Sequence, residues 1–431
     1  MKKQQETSAG DRVNIVLGKK EYEGVLLESP EKEKDVVLLK LDSGYNIGFI
    51  KKDIFDIELV EKFRESDNER DKKTIKKNSK KQNIAMIITG GTIAARLNPK
   101  KGGVDWLTDP ESLFRFYPSL FRKVNVVLVE SPFMKASEDM DHKDWQKLAK
   151  KTEELLNNQN IKGVIITHGT DFLHYTASAL SFFLGKLNKP VVLTYSQRSV
   201  DRASSDASLN LECSALVSVS DIAEVMLVGH ASTNDDYCNA MPGTKVRKMH
   251  SSKRDAFKVI NDKPIAKVSS DNIEVIKEYH KRNNKIVNSD TKFEEKVALL
   301  KFYPGQEPDI LDHYFDKGYK GIVLEMGALG HVHTSRARKS WTRKLKQVQE
   351  KGLIVCGTSQ CFYGRTDPLV YSNGRELLDT GIIYLEDMLP ETAYVKLGWV
   401  LGHKEWSKDK ETIKEKILEN FVGEFNDRLE E

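Results

Sequence analysis

The chain has 431 residues, 39% of them hydrophobic, and its 68 basic residues nearly balance its 64 acidic residues, leaving a net charge of +4. This length predicts two or three domains, and the small net charge excludes a surface built as a whole to bind nucleic acid. The longest apolar runs are strand-sized, far short of the ~20 residues that span a bilayer. Residues 1–7 are polar and lack a signal-peptide core, and the four cysteines form no disulfide or zinc pattern. We therefore expect a cytoplasmic protein with reduced thiols.

Residues 1–60 predict a small β-barrel. Short apolar runs separated by turn residues such as Gly18 and Gly44 are typical of consecutive antiparallel strands. Residues 61–82 are charged and show no periodicity, which indicates a linker. The linker carries a basic cluster, for which a solvated surface is the simplest interpretation and contact with RNA or a partner is the alternative. The members of this cluster are Lys72, Lys73, Lys76, Lys77, Lys80 and Lys81.

From residue 83 onward, continuous apolar strands alternate with helices, which predicts two tandem α/β domains with parallel sheets. The first domain is expected over 83–265, an irregular connecting segment over 266–293, and the second domain over 294–405. In the second domain the pattern predicts helices over 308–317, 335–350 and 392–401. Residues 406–431 predict an amphipathic C-terminal helix, because five apolar residues recur at helical spacing. These residues are Ile413, Ile417, Phe421, Phe425 and Leu429.

Two strands of the first domain end in runs of glycine and threonine, TGGTI at 89–93 and THGTD at 167–171. Glycines after a strand let the chain turn sharply and bring backbone N–H groups close to a ligand. Ligands of open parallel sheets bind beyond the carboxyl ends of the strands. If the two strands are parallel neighbours, the side chains of Thr92, Thr170 and Asp171 lie at one end of the sheet.

A threonine nucleophile needs a group that accepts its proton. A lysine that is buried enough to lose its own proton is suited to this role, and Asp171 is suited to orient that lysine. Lys248, in the run RKMHSS, is a candidate, although spacing alone does not select it.

Both runs also have simpler interpretations. TGGT could be a phosphate-binding turn, although it lacks the usual nucleotide-binding patterns, and HGTD could be a strand end with an aspartate cap. A cysteine nucleophile, Cys356 or Cys361, would compete with two better-placed threonines. A metal site built around His331 and His333 lacks acidic residues at ligand spacing.

The runs TGGTI and HGTD resemble the two threonine motifs of the bacterial-type L-asparaginases, and SEDM at 137–140 is similar to the substrate-holding segment of that family. The resemblance covers residues 84–405. It implies that Thr92 is the nucleophile and that Thr170, Asp171 and Lys248 form a relay. It further implies a homodimer, because such active sites are usually completed by a second copy. The residues implied in substrate binding are Gly91, Ser137, Glu138, Gly169 and Asp171.

Four further segments resemble the D-subunit family of the archaeal glutamyl-tRNA(Gln) amidotransferases, in which a small barrel precedes an asparaginase-like chain. They are residues 44–48, 197–206, 358–365 and 386–397, the last with the sequence EDMLPETAYVKL. The resemblance implies a glutaminase that works with an E subunit. That partner binds glutamyl-tRNA(Gln), activates the glutamate with ATP and Mg²⁺, and receives the ammonia. No cofactor is expected in this chain, and the run at 386–397 is interpreted as a packing or partner surface.

The chain departs from the asparaginase pattern in two places. Phe172 follows HGTD where a threonine is usual, outside the relay positions. Residues 95–106 have the glycines and polarity of a mobile lid but no tyrosine, which fits a chain that is active only with its partner. The alternatives are a free-standing asparaginase, which the barrel disfavours, and a non-catalytic scaffold for tRNA or a partner. Retention of all four relay and nucleophile residues disfavours the scaffold.

Overall fold

A computed structural model describes residues 7–18, 20–27, 35–42, 46–62, 79–97, 104–106, 117–199 and 204–429. Part of the basic cluster, the turn at 43–45 and the centre of the expected lid at 98–103 lie outside these ranges. Within them, no helix has both the length and the apolar character that crossing a membrane requires.

The N-terminal module is a five-stranded antiparallel sheet with the strand order β4-β3-β2-β1-β5. Successive side chains of a strand point to opposite faces, and one face encloses a small core around Val13, Ile15, Leu39 and Phe49. The expected all-β module is therefore present. Its strands are β1 (Arg12–Leu17), β2 (Lys20–Leu27), β3 (Val36–Lys40), β4 (Asn46–Ile50) and β5 (Asp56–Glu61).

The first α/β domain is built on an eight-stranded sheet with the order β17-β16-β13-β12-β11-β10-β6-β9. Its strands and helices are β6 (Asn83–Ile88), β7 (Ala95–Leu97), β8 (Val104–Trp106), α1 (Pro118–Lys123), β9 (Asn125–Glu130), α2 (His142–Asn157), β10 (Val164–Thr167), α3 (Leu173–Leu184), β11 (Val191–Thr194), α4 (Ala207–Ser218), β12 (Val225–His230), β13 (Cys238–Pro242), β14 (Val246–Lys248), β15 (Phe257–Val259), β16 (Ala266–Val268) and β17 (Ile273–Val275). The short strands β7 and β8 form a separate antiparallel pair at the two ends of the expected lid.

Five strands of this sheet, β9, β6, β10, β11 and β12, run parallel. All but the edge strand β9 are almost entirely buried, which explains their continuous apolar sequences. The chain order reverses between β6 and β10, because β9 lies on one side of β6 and the later strands lie on the other. A reversal of this kind leaves a crevice at the carboxyl ends of the two strands, where open α/β sheets bind ligands.

The second α/β domain has a four-stranded parallel sheet in the order β18-β19-β20-β21. Its elements are β18 (Val297–Lys301), α5 (Ile310–Asp316), β19 (Gly321–Met326), α6 (Thr342–Glu350), β20 (Ile354–Ser359), α7 (Ser372–Leu378), β21 (Ile383–Tyr384), α8 (Pro390–Leu401) and α9 (Lys410–Leu418). Helices α3 and α8 pack across the domain boundary, where the rings of Phe182 and Trp399 stack at 5.6 Å. The two domains therefore share one hydrophobic core.

Three boundaries differ from the sequence prediction. The connecting segment expected over 266–293 starts with β16 and β17, which extend the large sheet. Strands of three residues are too short to show the alternation on which a prediction depends. The helix expected over 335–350 begins only at Thr342, because the N–H and hydroxyl of Ser335 bind the Glu376 carboxylate and hold the preceding residues in turns.

The C-terminal helix expected over 406–431 is also shorter, since α9 ends at Leu418. Beyond it, the Glu424 carboxylate accepts a hydrogen bond from the N–H of Phe421 and pairs with the buried ammonium group of Lys396 at 2.6 Å. A buried charge needs a partner, and this pairing turns the chain away from a helical path. The apolar spacing after residue 418 therefore reflects packing of an irregular segment.

Candidate active site

The two glycine–threonine runs lie side by side. Strands β6 and β10 are parallel neighbours with Ile88 opposite Thr167. The backbone N–H and the hydroxyl of Thr89 both donate to the Thr167 carbonyl oxygen, at 3.2 and 2.9 Å. The loops that follow the two strands therefore start from the same edge, at the crevice where the strand order reverses.

The glycines of these loops bring their backbones into close contact. Gly91 has φ +82°, and a Cβ atom added to it would lie 2.5 Å from the Cα of Gly169. A Cβ atom on Gly169 would in turn lie 3.1 Å from the backbone nitrogen of Ser137. A left-handed backbone that also lacks space for a Cβ atom requires glycine. Thr92 and Thr170 each follow one of these two touching glycines.

Thr92 begins a short 3₁₀ turn, Thr92–Ala94. The turn is held from within by a hydrogen bond from the Ala94 N–H to the Gly91 carbonyl oxygen, at 3.1 Å. It is held from outside by the buried Tyr117, whose hydroxyl donates to the Ile93 carbonyl oxygen at 2.8 Å. Thr92 itself is only half-buried. The candidate nucleophile thus projects from a turn that is anchored on both sides.

Ser137 and Glu138 lie in a third loop at the same end of the sheet. Ser137 is buried, and its hydroxyl accepts a hydrogen bond from the Phe172 N–H and donates to the Glu138 carboxylate, both at 3.3 Å. Glu138 is exposed. The structure therefore places a hydroxyl and a carboxylate from this loop beside the HGTD loop.

Lys135 joins the third loop to the TGGT loop and to helix α2. The Lys135 N–H donates to the Thr89 carbonyl oxygen at 2.9 Å, and its ammonium group binds the Asp144 carboxylate at 2.8 Å. This contact raises the pKa of Lys135. Asp144 also accepts from the Asp141 N–H at the start of α2. The helix start, the third loop and β6 are thereby joined.

Lys248 reaches the HGTD loop from strand β14, 78 residues after Thr170 in the chain. Its ammonium group donates to the Thr170 hydroxyl at 2.9 Å and to the Asp171 carboxylate at 2.6 Å. The Thr170 hydroxyl also donates to Asp171 at 3.3 Å. The Lys248 side chain is 11% exposed and that of Asp171 is 57% exposed. The hydrogen bond from Lys248 lowers the pKa of Asp171, which keeps that carboxylate ionised.

This arrangement has the parts that amide hydrolysis by a threonine requires. One hydroxyl stands in an anchored turn, a second hydroxyl is hydrogen-bonded to a lysine, and a carboxylate holds the lysine in place. Hydrogen-bond contact between a hydroxyl and a base is the geometry of proton transfer, and a base that is oriented by a third group is the usual arrangement around an activated nucleophile. Backbone N–H groups of a glycine turn are suited to stabilise an oxyanion.

The side chain of His168 supports the HGTD loop from the protein interior. The ring is fully buried, with Nδ1 2.7 Å from the Gly169 carbonyl oxygen and Nε2 3.0 Å from the Thr176 hydroxyl. Burial lowers the pKa of His168 to about 4, so the ring is neutral near pH 7. Nδ1 then donates to Gly169 and Nε2 accepts from Thr176. His168 thus fixes the backbone that precedes Thr170.

Two alternatives from the sequence receive no support from the geometry. Cys356 is buried in β20, and burial raises the pKa of its thiol to about 12, which disfavours the thiolate that nucleophilic attack needs. In the part of the chain that the structure describes, no group of three or more His, Cys, Asp or Glu side chains could hold a metal ion.

The sequence did not reveal the ion pairs made by the residues just before Lys248, which face away from the relay. Arg247 pairs with Glu391 at 3.0 Å, and Lys245 pairs with Asp387 at 2.6 Å. Glu391 and Asp387 belong to the run EDMLPETAYVKL, for which the sequence predicts a packing or partner surface. Its distinctive sequence is the only signal, because no local rule connects residues 142 positions apart.

Three protein-family models match the chain. The model described as "Asparaginase, N-terminal" matches residues 83–281, and "Glutaminase/Asparaginase C-terminal domain" matches residues 296–416. The "GatD N-terminal domain" matches residues 7–60. These ranges correspond to the first α/β domain, the second α/β domain and the N-terminal module.

Curated proteins named as the D subunit of glutamyl-tRNA(Gln) amidotransferase are similar over nearly the whole length. The protein of Pyrococcus furiosus is 46% identical over 429 residues, which cover 98% of this chain and 96% of that protein. The protein of Methanosphaera stadtmanae is 41% identical, covering 98% and 94%. The protein of Sulfolobus acidocaldarius is 38% identical, covering 97% and 91%.

Among solved structures, the fold is similar to that of L-asparaginases. The thermostable L-asparaginase of Thermococcus kodakarensis has a TM-score of 0.71 and 27% identity, covering 80% of this chain and 99% of that chain. L-asparaginase I of Vibrio cholerae has a TM-score of 0.67 and 28% identity, covering 80% and 99%.

Proposed function

The chain belongs to the D-subunit family of glutamyl-tRNA(Gln) amidotransferases, and on this premise we propose that it hydrolyses glutamine to supply ammonia to a partner subunit. The partner uses that ammonia to convert glutamyl-tRNA(Gln) to glutaminyl-tRNA(Gln). The observation that carries the proposal is the hydrogen-bonded group of Lys248, Thr170 and Asp171, which lies beside the turn of Thr92.

In the proposed reaction, the Thr92 oxygen attacks the side-chain amide carbon of glutamine while its proton passes to the Thr170 oxygen, and the Thr170 hydroxyl proton passes to the amine form of Lys248. The oxyanion is stabilised by backbone N–H groups near Gly91. The C–N bond then breaks, ammonia leaves with a returned proton, and a glutamyl ester of Thr92 remains. Water, deprotonated through Thr170, cleaves this ester and releases glutamate.

Substrate recognition follows from the groups around this centre. The Asp171 and Glu138 carboxylates are suited to hold the α-amino group of glutamine, and the Ser137 hydroxyl is suited to bind its α-carboxylate. Gly91 and Gly169 supply backbone groups at close range. Each of these contacts uses a charge or hydrogen bond that the free amino acid offers.

The partner is expected to carry the remaining steps. We propose that the E subunit binds glutamyl-tRNA(Gln) and uses ATP and Mg²⁺ to activate the glutamate, with no cofactor in this chain. We further propose that the chain forms a homodimer and works in the cytoplasm, where charged tRNA is available. The expected lid at 95–106 lacks a tyrosine, which fits activity that depends on the loaded partner.

A second candidate is a free-standing L-asparaginase, favoured by the similarity of the α/β domains to L-asparaginase structures. The relay geometry alone does not separate the two substrates, because asparagine and glutamine differ by one methylene group. The N-terminal module and the near full-length similarity to amidotransferase D subunits favour the glutaminase.

The test is ammonia release from glutamine and from asparagine, with and without the E subunit and glutamyl-tRNA(Gln). The proposal expects glutaminase activity that depends on partner and tRNA, and its loss in Thr92→Ala with substrate binding retained. Thr170→Ala and Lys248→Ala are each expected to lower turnover by orders of magnitude. Thr233→Ala, at an exposed threonine, serves as the control.

Three other results of this assay would each contradict one part of the proposed function. Rapid hydrolysis of asparagine by the chain alone would favour the free-standing asparaginase. An active Thr92→Ala protein would remove the proposed nucleophile. Silence in every mixture would favour a non-catalytic scaffold.

A further inference from the structure

Lys248 lies at the end of a strand that has little support of its own. Strand β14 has three residues and pairs only with β15, with Lys248 opposite Phe257. In the described part of the chain, this pair belongs to none of the three larger sheets. The 2.9 Å contact between the Lys248 ammonium group and the Thr170 hydroxyl therefore needs another source of positional order.

That source is the start of helix α8 in the second domain together with the residues just before it. The Thr392 hydroxyl donates to the Thr244 carbonyl oxygen at 2.9 Å. One residue later, the Lys245 ammonium group binds the Asp387 carboxylate at 2.6 Å, and both side chains are fully buried. We name the contact of residues 244–247 with residues 387–392 the interdomain seam.

Arg247 completes the seam directly before Lys248. Its guanidinium group binds Glu391 at 3.0 Å and lies 4.8 Å from the centre of the Phe362 ring. Glu391 is buried, and the nearby His174 ring has its Nε2 3.9 Å from the same carboxylate. Burial lowers the pKa of His174 to about 3, so this histidine is neutral. Arg247 is then the cation in contact with the Glu391 carboxylate.

The direction of the side chains makes the seam relevant to the site. Successive residues of a strand point to opposite faces. Arg247 is directed toward α8, and Lys248 is therefore directed the other way, toward Thr170 and Asp171. Fixing Arg247 on one face fixes the position from which the Lys248 side chain extends on the other.

The C-terminal segment covers the seam. The Asn426 N–H donates to the Asp387 carboxylate at 3.2 Å, and its side-chain amide donates to the Asn261 carbonyl oxygen at 2.6 Å. The Thr244 hydroxyl donates to the Gly423 carbonyl oxygen at 3.3 Å. The irregular path of this segment, which replaces the expected helix, therefore shields the Lys245–Asp387 pair from water.

Buried ion pairs contribute little to net stability, because desolvation offsets their attraction. They do restrict geometry, since a displaced buried charge loses its partner. Two pairs lie within three residues of Lys248, the fully buried Lys245–Asp387 pair and the less buried Arg247–Glu391 pair, and both involve residues 387–391. This is more than joining the two domains requires. The shared core of α3 and α8 already joins the domains.

We propose that the interdomain seam holds the Lys248 side-chain nitrogen at the Thr170 hydroxyl, so that Arg247 and Glu391 are positioning residues for glutamine hydrolysis. The proposal rests on the proposed function. The two residues lie on the opposite side of β14 from the relay, and they act through the backbone of β14. The second α/β domain thereby controls the geometry of a relay whose other members come from the first domain.

The test uses Arg247→Met, Glu391→Gln and the double variant, assayed as the complete complex with the E subunit and glutamyl-tRNA(Gln). Each single change is expected to lower kcat about 10²-fold, the effect of a displacement near 1 Å, with KM for glutamine nearly unchanged. The double variant is expected to lose no more than the worse single variant, because the pair acts as a unit. Arg247→Lys, which keeps the charge, is expected to restore part of kcat.

Lys258→Met is the matched control. Lys258 lies directly across the hairpin from Arg247, but its ammonium group binds Asp255 and the Ala231 carbonyl oxygen. In the described residues, no hydrogen bond or ion pair joins it to α8. Its kcat is expected to stay within twofold of the wild type. Thermal unfolding of every variant reports how much of each preparation is folded.

Wild-type kcat in folded Arg247→Met and Glu391→Gln proteins would overturn the positioning role. A lower melting temperature with unchanged kcat per folded molecule would assign the seam to stability alone and would also overturn it. Activity in Thr92→Ala would instead contradict the proposed function. The two failures are therefore distinguishable.

Discussion

The two halves of the candidate active site are positioned by different physical means. The loops of Thr92 and Thr170 follow neighbouring parallel strands, and main-chain hydrogen bonds and glycine contacts set their geometry. Lys248 lies on a three-residue strand whose Arg247 pairs with Glu391 of a helix in the other domain. The preceding Lys245 pairs with Asp387, just before that helix. Substitutions in the first half are therefore expected to disturb the site through backbone clashes. Substitutions in the second half are expected to disturb it by leaving buried charges without partners.

The strongest test of the first half is Gly91→Ala. The added Cβ atom would lie 2.5 Å from Gly169, and φ of +82° is already strained for alanine. We expect glutaminase activity to fall about 10²-fold or more, because a displaced turn moves Thr92. The measurement is kcat in the complete complex.

Gly185→Ala is the control for backbone strain. Gly185 has φ +56° at the end of α3, but a Cβ atom there would meet nothing within 4 Å. We expect it to lose stability, on the order of 1–3 kcal/mol, with kcat retained. Equal losses of kcat in both variants would show that the clash with Gly169 is not the cause of the lost activity in Gly91→Ala.

The second half is tested by Lys245→Met, which leaves the buried Asp387 carboxylate without its partner. Breaking a buried pair in this way costs about 3–5 kcal/mol of unfolding free energy, measurable by denaturant unfolding. The double change Lys245→Met with Asp387→Leu is expected to recover most of that loss. Recovery is incomplete because the Asn426 N–H loses its acceptor, at a cost of about 1–3 kcal/mol.

If the double variant were no more stable than Lys245→Met, the loss would come from packing around residue 245. The charge of Asp387 would then contribute little. Buried charges would then not be what positions the second half of the site.

The pH dependence of the unfolding free energy tests the first half of the site, because the buried His168 ring supports the HGTD loop there. Its pKa is lowered to about 4 in the folded protein and is about 6.5 when unfolded. Between these values the unfolded chain binds the extra proton, so stability falls as pH decreases from 6.5 to 4. The change is about 1.4 kcal/mol per pH unit, or roughly 3 kcal/mol in total.

His168→Asn is expected to make this part of the stability profile less steep by the His168 contribution of about 1.4 kcal/mol per pH unit, because asparagine does not titrate. The measurement is unfolding free energy against pH for both proteins. A parallel pair of curves would mean that His168 does not cause the acid loss. His174, whose pKa is also lowered by burial, would contribute equally to both curves.

The smallest loss of unfolding free energy is expected when an exposed ion pair is broken, in contrast to the buried ion pairs of the interdomain seam. In the N-terminal module, Arg12 binds Asp42 and Glu23, each at 2.6 Å. These side chains are partly or largely exposed, and surface pairs contribute about 1 kcal/mol or less. Arg12→Ala should lower the unfolding free energy by no more than that, and high salt should reduce the difference. A loss as large as that of Lys245→Met would mean that exposure does not separate the two kinds of pair.

Much of the first half of the site could be predicted from local sequence. Glycine and threonine directly after an apolar strand indicate a turn at the carboxyl end of a parallel sheet, and this turn is present in both loops. Lys248 is only a candidate from its residue type and a resemblance. Its contact with Thr170 depends on a hairpin that no periodicity indicates, since β14 and β15 have three residues each.

The sequence by itself determined the alternation of strands and helices, the all-β module at the N-terminus and the two loops that carry the threonines. These features follow from hydrophobic period, glycine conformations and turn chemistry, which act over a few residues. Only the tertiary structure decided that Lys248 reaches Thr170, that residues 387–392 hold its strand, and that the chain leaves the helical path after Leu418 instead of continuing α9. Those outcomes depend on burying charges in pairs between distant segments, and the energy of such a pair is absent until both segments are folded together.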